Sequence, residues 1–204
     1  MKILINFYAE VNEGRVNELI NFTTQQIVIS NQNPDNPLDE IIIQISSNGG
    51  SSDHGLLAYN YLNQVSIPKT TIGMGNVDSA AVMIFAAGNK RIAMPSCRFL
   101  LHEALTSING AFNAIKLREI ANMNEGVTND YCKVISRITN KNLGTVKSEV
   151  LKGQVMDSDK AKKYGLVTDI QVEPYLKDMN GLNILMINNP QGLPITQQNN
   201  SVQL

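Results

Sequence analysis

The stretch Glu40-Ile41-Ile42-Ile43-Gln44-Ile45-Ser46-Ser47-Asn48-Gly49-Gly50-Ser51 decides the fold. A dense apolar run of this length reads as a strand buried on both faces, and such strands belong to parallel sheets covered by helices. Paired glycines then break the chain, and apolar residues Leu56, Leu57, Tyr59, Tyr61 and Leu62 supply a helix. Strand, glycine turn and helix in that order imply an α/β domain with a largely parallel sheet.

The same alternation extends in both directions. Upstream, Lys2 to Ala9 reads as a first strand. Asn12 can cap a helix running to about Val28, and the Asn- and Pro-rich stretch from 31 to 37 is a loop. Downstream, Pro68 leads into a strand over Thr70 to Gly73, and Ser79 to Ala87 is a small apolar helix. Arg91 to Met94 and Arg98 to Leu101 are two short strands joined around Pro95-Ser96. A long helix is expected from Ala111 to about Thr139, because Ile115, Ile120, Met123, Val127, Tyr131, Val134 and Ile138 recur at spacings of mostly three and four. Asn142 or Thr145 starts a shorter helix. Asp157 caps another that stops at Gly165, and Val167 to Val172 forms a last strand. Residues 1–176 form the domain in this reading, and 177–204 an extension, flexible from about 188 where Asn, Gln and Pro dominate.

Composition limits the function classes. Hydrophobic residues make up 43% and charged residues 17% of 204 residues, the balance of a globular protein. A net charge of −1 gives no electrostatic reason for a nucleic-acid partner. No apolar run approaches the roughly 20 residues that span a bilayer, and the apolar start reads as a strand rather than a signal peptide; the cytoplasm is the expected compartment. Cys97 and Cys132 lack the spacing of a metal or redox pair and read as reduced core thiols. With only His54 and His102, a metal site built on several histidines is excluded, and no cofactor is expected.

Three stretches carry the chemistry. Ser47-Asn48-Gly49-Gly50 leaves backbone N–H groups uncovered at a helix start, where they can hold an oxyanion; an ordinary strand-to-helix turn is the alternative. In Gly73-Met74-Gly75-Asn76-Val77-Asp78-Ser79-Ala80-Ala81, a serine opens an apolar helix. It is either an N-cap or a nucleophile in the positive field of the helix start. His102 ends the apolar strand Cys97-Arg98-Phe99-Leu100-Leu101, as a structural histidine or a general base. His54, beside Asp53, reads as a helix-surface residue. Sites on α/β sheets collect at such element boundaries.

The order of these stretches resembles the Clp protease proteolytic subunit family. Its Ser-Pro-Gly-Gly segment is matched by Ser47-Asn48-Gly49-Gly50, and its Gly-x-x-x-Ser nucleophile motif by Gly75 to Ser79. Its Pro-x-x-Arg-x-x-x-His segment is matched by Pro95 to His102, and its closing Tyr-Gly-Leu-Val by Tyr164-Gly165-Leu166-Val167. The resemblance covers roughly residues 5 to 172. It implies a crotonase-like spiral of β-β-α units with a long protruding helix, and a serine peptidase with Ser79 as nucleophile and His102 as base. The N–H groups of Gly50 and Ala80 would form the oxyanion hole. It further implies a ring-forming homo-oligomer joined through the long helix, a peptide or unfolded protein as substrate, and an AAA+ unfoldase as partner. The chain starts almost at the first strand, where the family carries a further segment, which bears on that last partner. The family's aspartate position is Gly153, and Asp157, Glu149 and Asp159 are the nearby substitutes. A weak or inactive scaffold subunit and a crotonase-type acyl-CoA enzyme are the alternatives.

Overall fold

The computed structural model describes residues 1–173, 175, 176, 180–189 and the backbone of 196–199. Strand β1 (Lys2–Tyr8) leads into helix α1 (Glu13–Gln32), whose cap Asn12 accepts from the Arg15 N–H. The helix runs four residues past Val28 and stops before Asn33-Pro34, where the proline disfavours a helical residue ahead of it. Strand β2 (Glu40–Ser47) and helix α2 (Ser52–Gln64) follow as expected.

Strand β3 (Lys69–Asp78) extends five residues beyond Gly73. Its pairing explains why two glycines fail to end it. One side lies along β2. The other pairs first with β4 (Lys90–Ala93) and then, from Asn76 to Asp78, with β5 (Arg98–Leu101). Gly73 is needed inside the strand, since a Cβ there would lie 2.7 Å from the Cys97 sulfur. Tertiary pairing therefore overrides the weak strand preference of glycine.

Short helix α3 (Ala81–Ala86) joins β3 to β4 and is wholly buried. The long helix α4 (Ala114–Thr139), capped by Asn113, begins three residues later than expected. Then come α5 (Leu143–Lys152), β6 (Gln154–Asp157), α6 (Ser158–Tyr164) and β7 (Asp169–Ile170), the last much shorter than the Val167–Val172 expectation. Its partner β4 itself ends at Ala93, opposite Ile170, so the pairing stops there.

Asn183–Asn188 forms strand β8, parallel to β1, and 196–199 forms β9, antiparallel to β8. The extension expected over 177–204 thus adds to the same sheet. The rest of the stretch expected to be flexible, beyond residue 189, lies outside the described residues. The sheet runs β6-β5-β3-β2-β1-β8-β9, with β4 between β3 and β7. All pairings are parallel except β5–β6 and β8–β9. The larger core lies on one face, where Phe7, Ile43, Ile45, Phe85 and Phe99 are fully buried, and a smaller cluster of Leu4, Ile42, Ile72 and Ile92 lies on the other. Both cysteines are free and buried.

Candidate active site

The site forms where β1, β2 and β3 end. Gly49 has φ +90° and Gly50 φ +142°, conformations that side chains resist. Space is equally restrictive: a Cβ on Gly50 would lie 2.3 Å from the Val11 carbonyl oxygen, and one on Gly49 2.6 Å from that of Asp78. The turn is pinned to the chain after β1, since the Val11 N–H donates to Gly49 O at 2.8 Å and the Ser51 N–H to Val11 O at 2.7 Å. These bonds use neither the Gly50 N–H nor the Ala80 N–H. Helix α2 closes against the same spot, because Gly55 lets it approach Ala80 to a separation that a Cβ would reduce to 2.8 Å from the Ala80 oxygen.

Among the described residues, Ser79 is one of two non-glycine residues with positive φ, at +55°. A left-handed serine costs roughly 1–2 kcal/mol, and the surroundings hold it there. Its N–H donates to Leu100 O at 2.8 Å, its carbonyl accepts from the Val82 N–H at 3.0 Å, and Gly49 packs on its Cβ. The N-cap alternative for Ser79 fails: α3 starts at Ala81 and no side chain caps it. The serine is half-buried at this strained turn.

His102 follows β5 directly and is half-buried. Ser79, His102, Asn48 and Gly50 line one cleft of about 580 Å³. Leu105, Ile120, Met123 and Val127 form its apolar wall, and Asp53 and Thr106 contribute polar groups. Among the described residues, neither the Ser79 hydroxyl nor the His102 ring has a hydrogen-bond partner. The α4 contribution to the cleft is one that sequence reasoning missed. Its signal was present, since Ile120, Met123 and Val127 follow helical spacing, but periodicity does not say what a helix face covers. His54 stands apart, its Nδ1 2.8 Å from the Ser51 hydroxyl.

None of the acids considered reaches His102. Strands β5 and β6 pair Arg98 with Asp157 and Leu101 with Gln154. Asp157 is therefore four residues away along the strand, roughly 13 Å at 3.3 Å per residue. Its carboxylate caps α6, accepting from the Lys160 N–H at 2.8 Å, and that bond holds its pKa below the usual range. The suggestion that Asp157 replaces the missing acid is thus corrected by strand register. Glu149 accepts from the Tyr164 hydroxyl at 2.7 Å, and Asp159 sits exposed in the first turn of α6. One step beyond Gln154 in the register comes Gly153, with φ +72° and nothing within 4 Å of a Cβ placed on it.

A family model described as Clp protease matches residues 2–174. The chain belongs to the Clp protease family. It is 31% identical over 137 residues to the ATP-dependent Clp protease proteolytic subunit 2 of Borreliella burgdorferi, covering 66% of this chain and 68% of that one. It is 30% identical over 139 residues to the ATP-dependent Clp protease proteolytic subunit 1 of Tropheryma whipplei, covering 65% of each. The fold matches a ClpP1 mutant from Listeria monocytogenes with a TM-score of 0.73, over 83% of this chain and 91% of that one, at 20% identity. The family is one of serine peptidases, and the expected α/β spiral is the architecture found. Among the described residues, no helix is long and apolar enough to cross a membrane.

Proposed function

We propose that this protein is a Clp-type serine endopeptidase acting on peptides or unfolded protein held in the Ser79–His102 cleft. Ser79 attacks the peptide carbonyl while His102 takes the hydroxyl proton. The N–H groups of Gly50 and Ala80 receive the oxyanion, each such donor being worth about 2.7–4 kcal/mol in sites of this kind. His102 returns the proton to the leaving amine, an ester on Ser79 remains, and water then hydrolyses it with His102 again as base. The observation that carries this reading is the positive φ of Ser79. A strained serine, wedged between Gly49 and Leu100, opens onto a cleft shared with a histidine and Gly50. Strain of that order persists where surrounding structure enforces it, often at functional sites.

Assembly belongs to the same reading. Helix α4 carries Ile115 at 68% and Leu117 at 45% exposure on its first turns, and burial of these side chains against further copies would build the homo-oligomeric ring. The relatives' description as ATP-dependent supports an AAA+ partner. In sedimentation, Ile115→Glu with Leu117→Glu is expected to give smaller species than the unaltered chain.

A second reading is favoured by Gly153. With no carboxylate across from His102, the chain would serve as a weakly active or inactive subunit, since loss of the orienting acid costs about 10⁴ in turnover in a well-studied triad. A fluorophosphonate probe separates the two. Labelling that maps to Ser79, vanishes in Ser79→Ala and falls sharply in His102→Ala supports the peptidase. Absence of labelling at any probe concentration removes it and leaves the subunit.

A further inference from the structure

We propose that Asn76 is a positioning residue, the hub of a hydrogen-bond chain Asn48–Asn76–Asp78–Arg98 that locks the oxyanion turn to the Ser79 strand. The inference rests on the roles given above to Ser79 and Gly50.

Gly49 is buried against Ser79, whereas Asn48 and Gly50 are the exposed part of the turn. Asn48 and Gly50 line the 580 Å³ cleft, and both also line a second, polar cavity of about 380 Å³ shared with Tyr8, Glu10 and Asn76. With space on two sides, the position of the Gly50 N–H depends on hydrogen bonds. The Val11 pair fixes the turn from the β1 side. From the β3 side, Asn76 Nδ2 donates to Asn48 Oδ1 at 2.7 Å.

Asn76 is committed in both directions. Its Nδ2 also donates to Asp78 Oδ2 at 3.3 Å, and its Oδ1 accepts from the Ser46 hydroxyl at 3.0 Å. A reversed amide would turn an oxygen toward the Asp78 carboxylate, so the orientation is fixed by its neighbours. Asp78 is buried at 4% exposure, and Arg98 donates to both its oxygens. Arg98 faces Asn76 in the β3–β5 register and stands four residues before His102. One polar chain therefore joins the turn bearing Gly50, the strand ending at Ser79 and the strand ending at His102. Asp78 anchors the chain in the core, while Asn76 is half-buried and Asn48 and Arg98 are exposed, and a displacement of about 1 Å at a reacting centre can cost 10² in rate.

A double-mutant cycle tests the chain with the full-length protein and a fluorogenic peptide. Asn48→Ala and Asn76→Ala are each expected to lower kcat/KM about tenfold, with the loss in kcat, KM within twofold and the melting temperature nearly unchanged. Because both act through one bond, the double variant is expected to be no worse than the poorer single. Asn48→Asp, which keeps an acceptor for Asn76 Nδ2, is expected to recover part of the rate lost in Asn48→Ala. Rates equal to the unaltered protein, losses that multiply to about a hundredfold, or losses confined to KM overturn the inference. If fluorophosphonate labels Ser79 while Asn76→Ala labels equally fast, only this inference falls. If Ser79 in the unaltered protein does not label at all, the peptidase reading falls first and takes this one with it.

Discussion

Gly49 and Ser79 are packed so closely that a Cβ on Gly49 would stand 2.7 Å from the Cβ of Ser79. Any side chain at residue 49 must therefore push the serine or the turn out of place. We expect Gly49→Ala to lower stability by roughly 2 kcal/mol, through the clash and the positive φ together. Labelling of Ser79 should slow by at least tenfold. Denaturant unfolding and probe kinetics measure the two effects.

The strain at Ser79 itself predicts an inverse relation between activity and stability. Ser79→Gly should abolish labelling yet raise stability by about 1 kcal/mol, because glycine accepts φ +55° without the steric cost. Ser79→Ala should abolish labelling with no such gain, since alanine retains a Cβ. Paired thermal melts of the two variants distinguish relief of strain from simple loss of the hydroxyl.

Gly153 offers space for an acid, at a backbone φ of +72° that strains a side chain. Nothing lies within 4 Å of a Cβ there, and it comes next after the Leu101–Gln154 pair, opposite His102. Gly153→Asp is expected to raise the rate of Ser79 acylation by at least about tenfold, a fraction of what an optimally placed acid supplies. The rate constant for fluorophosphonate labelling reads this directly, and the gain should be absent in a His102→Ala background.

Glu40 governs a pH dependence remote from the site. It accepts from Thr70 and from Tyr175, each at 2.6 Å, and pairs with Lys2 at 2.8 Å. Burial lifts its carboxyl pKa, but the bonds from Lys2, Thr70 and Tyr175 outweigh burial and leave it below the ordinary value. The folded form thus holds its proton less tightly than the unfolded chain. The resulting stability is present above the unfolded carboxylate value near 4.3 and is lost as pH falls through the lower folded value. Glu40→Gln should cost about 1 kcal/mol at pH 7 at this half-buried position, and its melting curve should converge with that of the unaltered protein toward pH 3.

Local signals in the sequence carried much of this structure. Asn12, Asn142 and Asp157 cap helices where their spacing placed them, and β5 has the expected limits, because caps and short apolar runs depend on neighbouring residues. Long-range pairing was not legible. Glycines at 73 and 75 looked like an ending, and only β4 and β5 alongside make them part of a strand. Asp157 looked near enough to matter until strand register put it beside Arg98. The site residues themselves could be grouped by order along the chain. What separated a capping serine from a strained one was a backbone angle, which Leu100 and Gly49 impose from elsewhere.

Strand β8 brings residues 183–188 alongside β1 at the other end of the chain. During synthesis, β1 leaves the ribosome long before β8, and its outer flank waits for that partner. Until then that flank is an open row of N–H and C=O groups on an apolar strand, a form prone to pair with other chains. The nascent protein therefore completes this part of its sheet only once β8 has emerged, and a chaperone that shields β1 in the interval would act on yield rather than on the finished fold.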